Sequence, residues 1–229
     1  MIMACPILYT VGDLHPGESS MEFILQYRGE LSANGKPAEK HQIRKVFHAQ
    51  LQELWRTHSL LEGTTTKELT GRHQGDLCKM PRVDWIALKH EVGRFHFVPL
   101  ITPDLSLVCT LDIQFLRREP VGTLVNHGGD IDNRIKTLFD ALTMPSEAQV
   151  KKETPDSTEI PFYCLLQDDA LIAGFCVQTE PLLEPIRGGK KHSEVVLNIR
   201  VKVVSTLSSP KDSFDRLKGV KIKMEGGTA

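Results

Sequence analysis

Five acidic side chains and one lysine stand at spacings that chemistry can use: Asp130, Asp132, Lys136 and Asp140 in one run, Asp168 and Asp169 in another. Asp130 and Asp132 lie two apart in extended chain entering a helix, so their carboxylates can point the same way. Asp132 or Asn133 is a natural N-cap, and the positive helix end favours negative charge there. Lys136 follows Asp132 by one turn and Asp140 follows Lys136 by another, so the three share a face. Capping plus an i,i+4 ion-pair ladder explains these three, at a few tenths of a kcal/mol per pair. It explains neither Asp130 nor the second pair, which directly precedes an apolar run. Carboxylates brought together repel, and a bound divalent cation relieves the repulsion. Oxygen-only ligands suit Mg²⁺, or Mn²⁺, rather than zinc. From spacing alone the ladder and the metal site both stay open.

These groups need elements to position them. Ile135, Leu138, Phe139 and Leu142 form an apolar stripe opposite the charged face, predicting a helix over 133–142. Met21 to Arg28 reads as a strand. From Glu39 to about Leu61 apolar residues recur at helical spacing, and Lys40, Arg44, Lys45, His48 and Arg56 make a basic stripe that a phosphate could meet, although such faces are usually only solvated. The polar stretch 62–77 reads as an insertion or loop, and 82–92 as a short helix. Runs 95–101 and 105–116 read as strands joined in a hairpin at Thr102-Pro103-Asp104, with Pro99 placing the first at an edge. Residues 146–161 read as an exposed excursion, 171–180 and 194–204 as strands, and the end from Ser205 as a loosely attached polar tail. The order predicts an α+β fold, a mostly antiparallel sheet with helices packed on one face.

Composition narrows the class. The 229 residues are 40% apolar and 25% charged with net charge −1, which excludes whole-chain disorder and rod-like repeats. No apolar run reaches about 18 residues, so no membrane span is expected. Five scattered cysteines without C-x-x-C spacing predict free, buried thiols in the cytoplasm. Charge is uneven: residues 187–223 hold ten basic against three acidic side chains, a segment suited to a polyanion.

The run Asp130-Ile-Asp132-Asn133-x-x-Lys136-x-x-x-Asp140-Ala141-Leu142, followed by Asp168-Asp169, resembles the signature of RusA-type Holliday junction resolvases. Those are small dimeric, magnesium-dependent endonucleases that nick four-way DNA junctions symmetrically. The resemblance covers roughly half the chain. It implies one RusA-like nuclease domain over 1–204, with insertions near 61–93 and 143–167 and a tail over 205–229. It implies metal-binding carboxylates at Asp130, Asp132 and Asp169, a catalytic lysine at Lys136, and Asp140 supporting the site through Lys136. Branched DNA and a second copy of the chain are the implied partners, and Mg²⁺ or Mn²⁺ the cofactor. Family members often carry a basic run before the first aspartate; residues 121–129 hold no Lys or Arg. DNA grip is therefore expected at Arg187, Lys190 and Lys191, on the long helix, or in the insertions. Two alternatives stay open: a catalytically silent branched-DNA-binding or assembly protein, and a nuclease acting on flaps or nicks.

Overall fold

The computed structural model describes residues 21–118, 131–184, 194–207 and 210–218. The chain runs β1 (Met21–Glu30), α1 (Pro37–Thr57), β2 (Glu68–His73), β3 (Asp76–Pro81), α2 (Arg82–Lys89), β4 (Glu91–Val92), β5 (Phe95–Ile101), β6 (Leu107–Arg117), α3 (Ile131–Leu142), α4 (Glu147–Val150), β7 (Phe162–Leu166), β8 (Ile172–Pro181), β9 (Glu194–Ser205) and α5 (Pro210–Leu217). It is an α+β fold, as the element order predicts.

The main sheet has the order β1-β9-β6-β8. β9 pairs antiparallel with β1 and β6, and β8 lies parallel to β6. Period-two alternation sets its faces. Val195, Leu197, Ile199 and Val201 of β9 and Cys109, Ile113 and Phe115 of β6 point inward and are fully buried. On the opposite, solvent side Gln26, Asn198, Gln114 and Gln178 fall in one row across all four strands. Their amides are chained: Gln26 donates to Asn198, and Asn198 to Gln114. One face is core and the other is wet, the usual state of an antiparallel sheet.

A second sheet has the order β4-β5-β7, with β5 and β7 parallel. All five residues of β7 are buried, so it reads as a continuous apolar run, as parallel strands do. α1 packs on β7, α3 and β1 and is the hub of the core.

Several expectations need correcting. β5 and β6 are not a hairpin: a 3₁₀ turn over Pro103–Leu105, capped by Thr102, and Ser106 in the left-handed region carry the chain from one sheet to the other. Nor is β5 an edge strand: it lies between β4 and β7, and Pro99 is tolerated because β4 pairs only with Phe95 and His96. Residues 62–77 are not loop throughout; β2 and β3 pair across Gln74-Gly75, both with positive φ, the geometry of a two-residue hairpin turn. The stretch 146–161 is not simply exposed: Val150 and Glu159 are buried. The tail from Ser205 is not loose throughout, since α5 buries Phe214 and Leu217 and packs on β9. Among the four described cysteines, Cys109 and Cys164 are buried as expected, whereas Cys176 is exposed and Cys78 half-buried.

Candidate functional site

α3 carries Asp132, Lys136 and Asp140 and begins at Ile131. Neither Asp132 nor Asn133 is therefore its N-cap; both lie inside the first turn. Asp130 falls outside the described residues, as do Arg187, Lys190 and Lys191. The helix buries Arg134, Ile135, Thr137, Leu138, Ala141 and Leu142 and exposes Asp132 and Lys136.

Three contacts pin α3 along its buried side. The Gly35 N–H donates to Thr137 Oγ1 at 3.0 Å. A Cβ at Gly35 would come within 2.7 Å of Thr137 Cγ2, so only glycine allows this approach without a shift. Lys40 Nζ pairs with Asp140 Oδ2 at 2.5 Å. Arg44 donates from Nη2 to the Asp140 carbonyl at 2.7 Å and from Nε to the Thr143 carbonyl at 3.1 Å. A helix leaves its last carbonyls without partners, and a cation there satisfies them and complements the dipole. Burial lowers the Arg44 pKa to about 10, which leaves it charged at neutral pH.

Two expectations fall with these contacts. Asp140 does not act through Lys136; its partner is Lys40. Nor is the basic stripe of α1 simply solvated: Lys40, Arg44, Lys45 and His48 are engaged in contacts within the protein. Lys45 pairs with buried Glu159 at 2.6 Å. His48 accepts from the Tyr163 N–H at 2.9 Å on Nδ1 and lies 3.0 Å from the Thr158 carbonyl on Nε2. That pairing fixes the neutral ring with its proton on Nε2. Among the five, Arg56 alone stays at the surface, paired with Glu53.

Beside this frame lies the second acidic pair. β7 ends at Leu166, where Met144 N–H, just past α3, donates to the Leu166 carbonyl at 2.9 Å. The chain then enters a 3₁₀ turn over Asp169–Leu171, with Asp168 as its cap: Asp168 Oδ1 accepts from Ala170 N–H at 2.9 Å. The turn packs against α3 and against β6. Farther on, Phe175 stands edge-on to Phe139 with ring centroids 5.1 Å apart, tying β8 to the same helix. Asp168 is thus a capping residue, and Asp169 is the carboxylate left free.

Asp132, Lys136 and Asp169 are all exposed. Among the described residues none of their side chains has a hydrogen-bond or ion-pair partner. Two bare carboxylates and a bare ammonium on two elements in contact are what a cation and a phosphate would need. Among the described residues no three His, Cys, Asp or Glu side chains converge as a ready ligand set; the third carboxylate expected there is Asp130.

Sequence reasoning missed Arg44 and Gly35, which position the site without belonging to it. A basic residue on an amphipathic helix looks solvated until its partner helix is known, and Arg44 has no local signal that sets it apart from Arg56. The chain matches no protein-family model, no curated protein and no solved structure.

Proposed function

We propose that this chain is a divalent-metal-dependent endodeoxyribonuclease that cuts branched DNA, four-way junctions above all, in the manner of the RusA-type resolvases its motif resembles. One observation carries the reading: the turn bearing Asp169 packs against the helix bearing Asp132 and Lys136, although 33 residues of chain separate Lys136 from Asp169. Two parts of a dispersed motif carried on elements in contact support a shared task over helix capping, which needs only neighbours in sequence.

The donor set fits the cation. Asp132 and Asp169 offer oxygen only, and hard cations such as Mg²⁺ and Mn²⁺ take oxygen ligands. These two, with Asp130, would hold the ion. When bound, it supplies a water acidic enough to attack near neutral pH and a Lewis acid for the phosphate. Lys136, one helical turn from Asp132, faces the same solvent and stabilises negative charge as it develops on the phosphate oxygens. In the hydrolysis, the water oxygen would bond to phosphorus as the P–O bond to one sugar oxygen breaks; that oxygen leaves as a hydroxyl by taking a proton from solvent, and the proton lost by the water passes to solvent or to a carboxylate. Symmetric nicking of a junction calls for two such sites, hence a two-fold dimer. No helix among the described residues is long and apolar enough to cross a membrane.

The test is direct. Purified protein with Mg²⁺ is offered a four-way junction, a flap and a linear duplex of the same sequence. Metal-dependent nicks in the junction, lost with Lys136→Ala, are the expected result. No metal-dependent cleavage of any of the three overturns the proposal, and preference for the flap moves it to the other nuclease class.

A further inference from the structure

The β2–β3 hairpin takes no part in the site above, and half of its residues are exposed. Its two strands form a sheet of their own, and a lone two-stranded sheet is marginal unless something holds it. Trp85 of α2 does so: its indole N–H donates to the Leu69 carbonyl at 3.1 Å. Its ring also lies so close to Gly71 that a Cβ there would come within 2.6 Å. The hairpin is therefore a fixed arm.

Register sorts its side chains. Opposed pairs share a face, so Thr70 with Lys79 and Arg72 with Leu77 make one row, with Glu68 opposite Pro81 at its base, while Leu69 with Met80, Gly71 with Cys78 and His73 with Asp76 make the other. The second row, Asp76 aside, is half-buried on Trp85. The first, Pro81 aside, is open to solvent, with Leu77 71% exposed near the tip. Arg72 and Lys79 have no ion-pair partner among the described residues. Asp76, the acid at the tip, belongs to the other row. Behind the base of the arm, Lys67, Arg82 and Lys218 line a cavity of about 120 Å³ together with Glu62. The solvent row carries two cations, Arg72 and Lys79, toward the tip against one acid, Glu68, at its base.

We infer that the solvent row of the β2–β3 hairpin grips a duplex arm of the DNA substrate, with Arg72 and Lys79 on phosphates and Leu77 against the groove. The inference rests on the nuclease reading and extends it to how substrate is held. A two-stranded ribbon fits the DNA major groove, which is about 12 Å wide. Same-face pairs along a ribbon recur about every 6.8 Å, and a DNA strand presents a phosphate every 3.4 Å along the axis. Arg72 and Lys79, diagonal neighbours about 7–8 Å apart across the ribbon, can therefore reach two phosphates of one strand. A protein partner would be expected to demand more apolar area than one leucine supplies.

The test is the double variant Arg72→Gln/Lys79→Gln against a matched control, Lys151→Gln/Lys152→Gln, two exposed lysines away from the hairpin. Binding to a labelled four-way junction is followed by fluorescence anisotropy without divalent cation, over about 50 to 200 mM salt. Two lost phosphate contacts should flatten the slope of log K against log salt by about 1.8 and weaken binding at the lower salt by about tenfold. The control should match the parent, and all three proteins should melt alike. A hairpin variant indistinguishable from its control, while the parent binds and cleaves junctions, overturns this inference alone. A parent that neither binds nor cleaves branched DNA overturns the nuclease reading and takes the hairpin assignment with it.

Discussion

Lys40 Nζ lies 2.5 Å from Asp140 Oδ2, so the third charge on the α3 face is neutralised from α1, and Lys136, four residues earlier, is left without a carboxylate partner on its own helix. The two lysines should part company under mutation. Lys136→Ala should abolish cleavage and leave stability within about 0.5 kcal/mol of the parent, as surface changes usually do. Lys40→Met should retain cleavage and lose about 0.5–1 kcal/mol, the range of a partly exposed pair. Urea unfolding and a gel-based cleavage assay on both proteins check the contrast, and equal cleavage by the two would remove Lys136 from the site.

Among the described residues Asp132 and Asp169 have no side-chain partner to lose. Asp132→Asn and Asp169→Asn should each fold normally and bind junction DNA while failing to cut it. In the parent, millimolar Mg²⁺ should raise the melting temperature, because a ligand held only by the folded state stabilises it; either substitution should cancel most of that rise. Calorimetric titration with Mg²⁺ provides a second readout. A full melting shift in both variants would show the ion binds elsewhere.

Arg44 is 1% exposed and caps the end of α3. Arg44→Met removes two charge-assisted hydrogen bonds and leaves the Asp140 and Thr143 carbonyls without their donor, at a cost of about 2–4 kcal/mol. Denaturant midpoints with an unchanged slope would measure it.

Gly35→Ala tests whether the placement of α3 matters for chemistry. The added methyl would press on Thr137, and overpacking of this kind costs about 1–3 kcal/mol. Because the strain falls on the helix that bears Asp132 and Lys136, cleavage should drop by more than the loss of folded protein accounts for. Cleavage in proportion to folded fraction would mean the helix does not move.

His41 is fully buried, edge-on to Phe95 and stacked on Phe162, and neither ring nitrogen finds a hydrogen-bond partner among the described residues. Burial, reinforced by Arg44, pushes its pKa down to about 4 against the opposing pull of Glu153. The sign follows from linkage: the unfolded ring binds a proton near pH 6.5 and the folded ring does not, so stability rises with pH across the window from about 4 to 6.5 and is lost as the solution is acidified through it. His48 shifts the same way. His41→Phe should flatten that dependence, read as melting temperature at intervals from pH 4 to 7. An unchanged profile would place the acid sensitivity on other groups.

What the sequence disclosed follows physical lines. β1, β6, β9 and α1 carry regular apolar periods, and they fold where those periods say. β7 escaped because Phe162–Leu166 is short, follows two prolines and is apolar on both faces, which no alternation marks. The β2–β3 turn is Gln74-Gly75, outside the common Asn-Gly and Asp-Gly pairs, and its strands alternate only weakly. The candidate site was visible as residue types, while the frame around it was not. Whether Lys40 meets solvent, phosphate or Asp140 depends on how α1 crosses α3, and nothing within either helix encodes that crossing.

The pairing of β1 with β9 has a consequence for biosynthesis. Gln26 and Asn198 touch across 172 positions of chain, so the first strand leaves the ribosome long before its neighbour exists. Until β9 emerges, β1 and one margin of β6 present unsatisfied backbone. Products ending short of residue 194 would therefore be prone to aggregate, because the main sheet cannot close before β9 is made.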